Sequence, residues 1–179
     1  MPSVTIDGTI FSFPDEWEVE AYDTWRQVSR LAGSSLQAKA CDLVAICRDT
    51  LYLLEAKDYT FPVGTRPPKL TDLASTVAVK GFHTLGGLYV GAHLDSDKQE
   101  FCARAVRCSR VELYFNVELP ADKGQLCKQP TILANMRELL IRETKPYLHL
   151  KPRIVSSQSG GAPWTSTRDP QRRLSNARM

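Results

Sequence analysis

Two short apolar runs around a polar pair, Ala40 to Cys47 and Thr50 to Ala56 on either side of Arg48-Asp49, constrain this chain more than any other feature. Their length, their β-branched residues and the polar junction predict two antiparallel strands. If Arg48 and Asp49 form a two-residue turn, Cys47 pairs with Thr50, and counting outward sets Asp42 opposite Glu55, with side-chain roots about 5 Å apart. Lys57 shares a strand face with Glu55, because side chains alternate with period two. Ionised groups inside buried strands are costly unless they pair or bind a cation. Two carboxylates this close repel unless one is protonated or a cation lies between them, and a hard divalent ion such as Mg²⁺ (or Mn²⁺) answers that need. A slip of one residue in register would send Glu55 and Lys57 to the opposite face and dissolve the group.

The rest of the chain reads as alternating elements. Asp7-Gly8 between Val4-Thr5-Ile6 and Thr9-Ile10-Phe11 predicts an opening hairpin. Ala21, Tyr22, Trp25, Val28 and Ala32 recur at helical spacing, predicting a first helix from Asp15 to about Leu31. Pro62, Gly64, Pro67 and Pro68 predict a loop. Thr71 and Asp72 cap a helix that Gly81, Gly86, Gly87 and Gly91 weaken in its later turns. A shorter helix from Lys98 to Cys108, a strand from Val111 to Glu118, a helix through Ile132 to Glu143 and a closing strand from Leu148 to Val155 complete an α/β pattern. The domain boundary is drawn at residue 155. From Ser156 to Met179, Ser, Gly, Pro and Arg dominate, as in a disordered or partner-binding tail.

Asp42, twelve intervening residues and then Glu55-Ala56-Lys57 resemble the D…(D/E)xK signature of the PD-(D/E)xK nuclease superfamily, which includes restriction endonucleases and archaeal Holliday-junction resolvases. The resemblance covers roughly residues 15 to 60, with Cys41 where the signature carries Pro. It implies a restriction-endonuclease-like core, a central mixed β-sheet flanked by helices with a helical insertion. It also implies Mg²⁺-dependent hydrolysis of phosphodiester bonds, in DNA, within a defence or repair system. Asp42, Glu55 and the carbonyl of Ala56 would then ligate the metal, Lys57 would position the attacking water, and Glu18, early in the first helix, would bind through water. Lys80 and His83 on the polar side of the glycine-weakened helix, and Arg104 and Arg107 spaced by three, are candidate phosphate contacts. The alternative is an inactive module of the same fold that binds DNA or a protein.

The net charge of +3 comes from the last 29 residues, which carry +5 and leave the first 150 at −2. Bulk charge therefore implies no nucleic-acid partner, and any footprint must come from local clustering. Five cysteines without a CxxC pair, and histidines scattered at 83, 93 and 149, offer no zinc spacing and read as free thiols. There is no GxSxG elbow, no phosphate loop ending in Lys-Ser/Thr and no HExxH. No apolar run reaches the roughly 18 residues that spanning a membrane requires, and the amino terminus shows no secretory pattern, so a cytoplasmic location is expected. One site on a chain of this size predicts a homodimer or a larger assembly if both strands of a duplex are to be engaged.

Overall fold

The computed structural model describes residues 1–60, 67–120 and 129–169. Its centre is the expected hairpin, β4 (Leu43–Cys47) and β5 (Thr50–Asp58), with Cys47 opposite Thr50 and Leu43 opposite Leu54. Arg48 takes a φ of 53° to make the two-residue turn. Outside β4 lies β3 (Glu18–Glu20), antiparallel; on the other side β5 pairs in parallel with β6 (Arg110–Glu118), and β6 with β7 (Arg153–Val155). A parallel neighbour requires a crossover, and helices α2 (Leu70–Gly91) and α3 (Gln99–Ala105) supply it between β5 and β6, while α4 (Gln129–Thr144) links β6 to β7. The fold is therefore α/β, with a five-stranded mixed sheet flanked by helices.

The sheet is covered on both faces, which is why its central strands are nearly continuous apolar runs. Val44, Leu53, Leu113 and Phe115 face the helices, together with Leu73, Val77, Leu88, Met136 and Leu140. Leu43, Ala45, Leu54 and Tyr114 face a second, three-stranded sheet of β1 (Ser3–Ile6), β2 (Thr9–Ser12) and β8 (Thr165–Arg168). The β1–β2 turn is Asp7-Gly8, with φ of 46° and 77°.

Three expectations are corrected. The first helix is not continuous from Asp15. Glu18–Glu20 pairs with the open edge of β4, a 3-10 turn follows at Tyr22–Thr24, and α1 spans only Arg26–Ala32. The backbone competition is decided by Tyr22, whose N–H donates to the Asp42 carbonyl at 3.0 Å and holds the preceding chain extended along the sheet. The segment after Ser156 is not a tail as far as Arg168, because Thr165–Arg168 pairs with β2 and Trp164, 6% exposed, lies among Phe13, Trp17 and Tyr114. Residues 61–66 of the expected loop, Cys127, and residues 170–179 of the expected tail lie outside the described residues. The glycine-rich helix is not capped by Thr71 or Asp72: α2 starts at Leu70, with Lys69 at its N-cap position and no side-chain cap, and runs 22 residues. Gly87 is there for closeness, since a Cβ at that position would meet Tyr22 Oη at 2.3 Å. Among the described residues no helix is long and apolar enough to cross a membrane, and Cys41, Cys47, Cys102 and Cys108 are free.

Candidate functional site

Register builds the site. Leu43 opposite Leu54 is the end rung of the β4–β5 ladder, so Asp42, one residue earlier, stands across from Glu55. Val44 and Leu53 face the helices, and strand alternation sends Asp42, Glu55 and Lys57 the same way. Asp42 is pinned. Its Oδ2 accepts the Ala56 N–H at 2.8 Å, and the N–H of Cys41 before it donates to Thr84 Oγ1 of α2 at 2.9 Å. Lys80, from the same helix, reaches between the carboxylates, with Nζ 2.7 Å from both Glu55 oxygens and 3.4 Å from Asp42 Oδ1. Lys57 Nζ lies 3.5 Å from Glu55 Oε1 with its side chain 37% exposed, whereas Glu55 is 1% and Asp42 6% exposed. Two carboxylates and two ammonium groups thus form one cluster, in which the acids and Lys80 are largely buried and Lys57 reaches outward.

The electrostatics follow from burial. Desolvation, and then the Asp42 charge, push the Glu55 carboxyl up to about 7, against the pull of Lys80 and Lys57. Burial works against the Lys80 ammonium, but Glu55 and Asp42 outweigh it and its pKa is raised. Asp23, in the 3-10 turn, is raised by burial and then by Asp42, which places a third acid within the field of the cluster. Tyr59 is raised by burial and then by Glu55. Among the described residues no group of three or more His, Cys, Asp or Glu side chains is arranged to hold a metal ion.

The other candidates divide. Lys80, expected as a phosphate contact, lies in the cluster, ion-paired with both Glu55 and Asp42. Its spacing, three residues after buried Val77 and four before buried Thr84, is the signal that could have placed it beside the core stripe. His83 is half-buried and accepts the Lys39 N–H on Nδ1 at 3.0 Å. Glu18 is corrected outright: from β3, opposite Ile46, it pairs with Arg104 near the β4–β5 turn, at the other end of the ladder from Asp42. Arg104 is shared between Glu18 and Glu100, and Arg107 is exposed beside Arg48 and Asp49, so neither joins the Asp42–Glu55 group.

No protein-family model matches this chain, and no solved structure does. It is similar to a cysteine--tRNA ligase of Neisseria meningitidis serogroup A / serotype 4A (strain DSM 15465 / Z2491), 26% identical over 168 residues, a match covering 76% of this chain and 24% of the ligase. The chain thus spans about a quarter of the length of the curated relative it matches. The expectation of a phosphodiester-cleaving nuclease of defence or repair, or of its inactive form, is corrected by this finding: the protein it resembles is an enzyme, but a tRNA ligase and not a nuclease.

Proposed function

We propose that this chain binds the phosphate backbone of an RNA of the tRNA class at the Asp42–Glu55–Lys57–Lys80 cluster, with Mg²⁺ as its cofactor. The observation that carries this reading is a single cationic centre, the Lys80 ammonium, shared by both carboxylates. That ammonium is a stand-in ion, marking where oxygen donors from two strands converge. Mg²⁺ favours such a place, since it is held by one or two carboxylates, keeps several waters and takes phosphate oxygens as further ligands. The Ala56 carbonyl is the third donor. Amide and carbonyl of one strand residue leave toward the same edge, and the Ala56 N–H points to Asp42.

In this arrangement Asp42 and Glu55 hold the ion, and the ion, when bound, supplies a concentrated positive charge for phosphate oxygens. Lys57, and Lys80 where an ion took its place between the carboxylates, would pair with phosphate as point charges. Tyr22, Thr84 and Ala56 keep Asp42 oriented, and the apolar layer beneath excludes water. The choice of RNA over the DNA expected from sequence rests on the tRNA ligase match, and a cytoplasmic location goes with it. We also infer that the hairpin belongs to the PD-(D/E)xK scaffold, on the strength of Asp42 facing Glu55 with Lys57 beside it.

Fluorescence anisotropy with labelled tRNA and with duplex DNA of equal length, in Mg²⁺ or EDTA, tests the function. The expected result is tRNA binding at least about tenfold tighter in Mg²⁺, preference for tRNA over DNA, RNA recovered intact, and loss of the Mg²⁺ effect in Glu55→Gln. Binding indifferent to both Mg²⁺ and Glu55→Gln overturns the site, and preference for DNA overturns the choice of partner.

A further inference from the structure

A second charged site lies on the other face of the five-stranded sheet. A cleft of about 550 Å³ opens along β7 and the start of β6, lined by Arg110, Arg137, Lys151 and Arg153 against one carboxylate, Glu112. That is a local surplus of three positive charges, as large as the net charge of the whole chain. The arrangement is the reverse of the one near the β4–β5 turn, where Arg104 is shared between two acids.

The sheet builds the cleft. Glu112 stands opposite Tyr52 and shares a strand face with Tyr114, the face turned away from Asp42 and Glu55. Arg153 pairs with Tyr114 in register; its guanidinium lies 5.8 Å from the centroid of that ring and 3.9 Å from the Glu112 carboxylate. Arg110 reaches the same carboxylate at 3.4 Å, and the Tyr114 hydroxyl donates to it at 3.0 Å. Each guanidinium carries five N–H donors, so one carboxylate that also accepts a hydroxyl fixes where two forks stand and leaves most of their donors unused. Arg137 of α4 and Lys151 complete the lining, and neither has an ion pair among the described residues. The chain then returns toward β8 through Gly160 and Gly161, with φ of 60° and 85°, where a Cβ would meet nothing within 4 Å. No side chain covers the mouth at these two positions, and Trp164, packed on Tyr114 at 4.7 Å between ring centroids, holds the return in place.

We propose that this cleft binds the diphosphate group of a small phosphorylated molecule. Arginine forks meet phosphate oxygens in pairs, and two of them are already positioned by Glu112. One phosphate monoester carries at most about two negative charges at pH 7, so a surplus of three is matched only when a second phosphate is present. The volume is that of a small-molecule site. The proposal does not rest on the RNA-binding reading, because it uses neither the Asp42–Glu55 group nor a metal ion.

Equilibrium dialysis of the full chain against ³²P-labelled pyrophosphate, in EDTA at about 50 mM NaCl, is the test. The expected result is saturable binding with a Kd of about 100 μM or tighter, displaced by ADP and at least about tenfold less well by AMP. Displacement by ADP at lower concentration than by unlabelled pyrophosphate identifies a nucleoside diphosphate as the source of the group, and equal displacement identifies the diphosphate alone. Arg137→Gln and Arg153→Gln should each weaken binding about fivefold or more and abolish it together, with Tm little changed because both side chains are exposed. Arg142→Gln, on the same helix and paired with Glu143, should bind as the natural chain does. No saturable binding at about 1 mM pyrophosphate, AMP as effective as ADP, or undiminished binding by the folded double variant overturns the proposal.

Discussion

The molecule holds two charged clusters that the sequence marks as alike and the fold makes different. Asp42, Glu55 and Lys80 meet between sheet and helix, with Glu55 1% exposed; Glu18, Arg104 and Glu100 meet near the β4–β5 turn in water, with side chains 43%, 44% and 86% exposed. In the first, removal of one charge leaves another stranded in an apolar setting. In the second, solvent replaces whatever is removed. Proximity of opposite charges is common to both, and desolvation alone separates them.

The largest expected effect breaks the buried cluster. Lys80→Ala leaves Asp42 unpaired and Glu55 with only the half-exposed Lys57, and should cost about 3 kcal/mol in urea unfolding at pH 8 with EDTA, and millimolar Mg²⁺ should recover part of the loss by taking the vacated position. Recovery by Mg²⁺ and not by added NaCl is the discriminating observation. Next comes pH. Because the Glu55 carboxyl is raised from its ordinary 4.5 to about 7, the folded state keeps its proton where the unfolded chain has lost it. Its contribution is full below pH 4.5, falls as pH climbs toward 7 and is level above that, on the order of 3 kcal/mol in all. Glu55→Gln should flatten that slope in denaturation midpoints taken from pH 5 to 8. Smaller still, Arg104→Ala should change unfolding free energy by less than about 1 kcal/mol at low salt and by less again at high salt. Smallest of all, Glu18→Gln should leave the Mg²⁺ dependence of RNA binding unaltered, and a shift there would mean that the two clusters communicate.

The buried cluster was legible because hairpin register is set by turn length and period-two alternation, both visible in Arg48-Asp49 and the runs beside it. What escaped depends on contacts distant in sequence. Glu18 was misplaced because Tyr22 and Trp25 fit helical spacing, while the competing strand needs the open edge of β4 and the Asp42 carbonyl. Lys80 looked polar and outward because its carboxylate partners are 25 and 38 residues away. Strand β8 has no apolar alternation at all, and its order depends on Trp164 finding Phe13 and Trp17 across almost the whole chain. The ligase match likewise corrects a function inferred from three residues, since a motif describes a geometry and many chemistries share it.

The pairing of β2 with Thr165–Arg168 ties the folding schedule to protein synthesis. While the ribosome still holds that segment, one edge of β2 lies bare and the indole that completes its aromatic nest is missing. The nascent chain therefore carries a sticky, unpaired border until Thr165–Arg168 has left the ribosome and paired, and slow synthesis of this stretch would lengthen its exposure to neighbouring polypeptides.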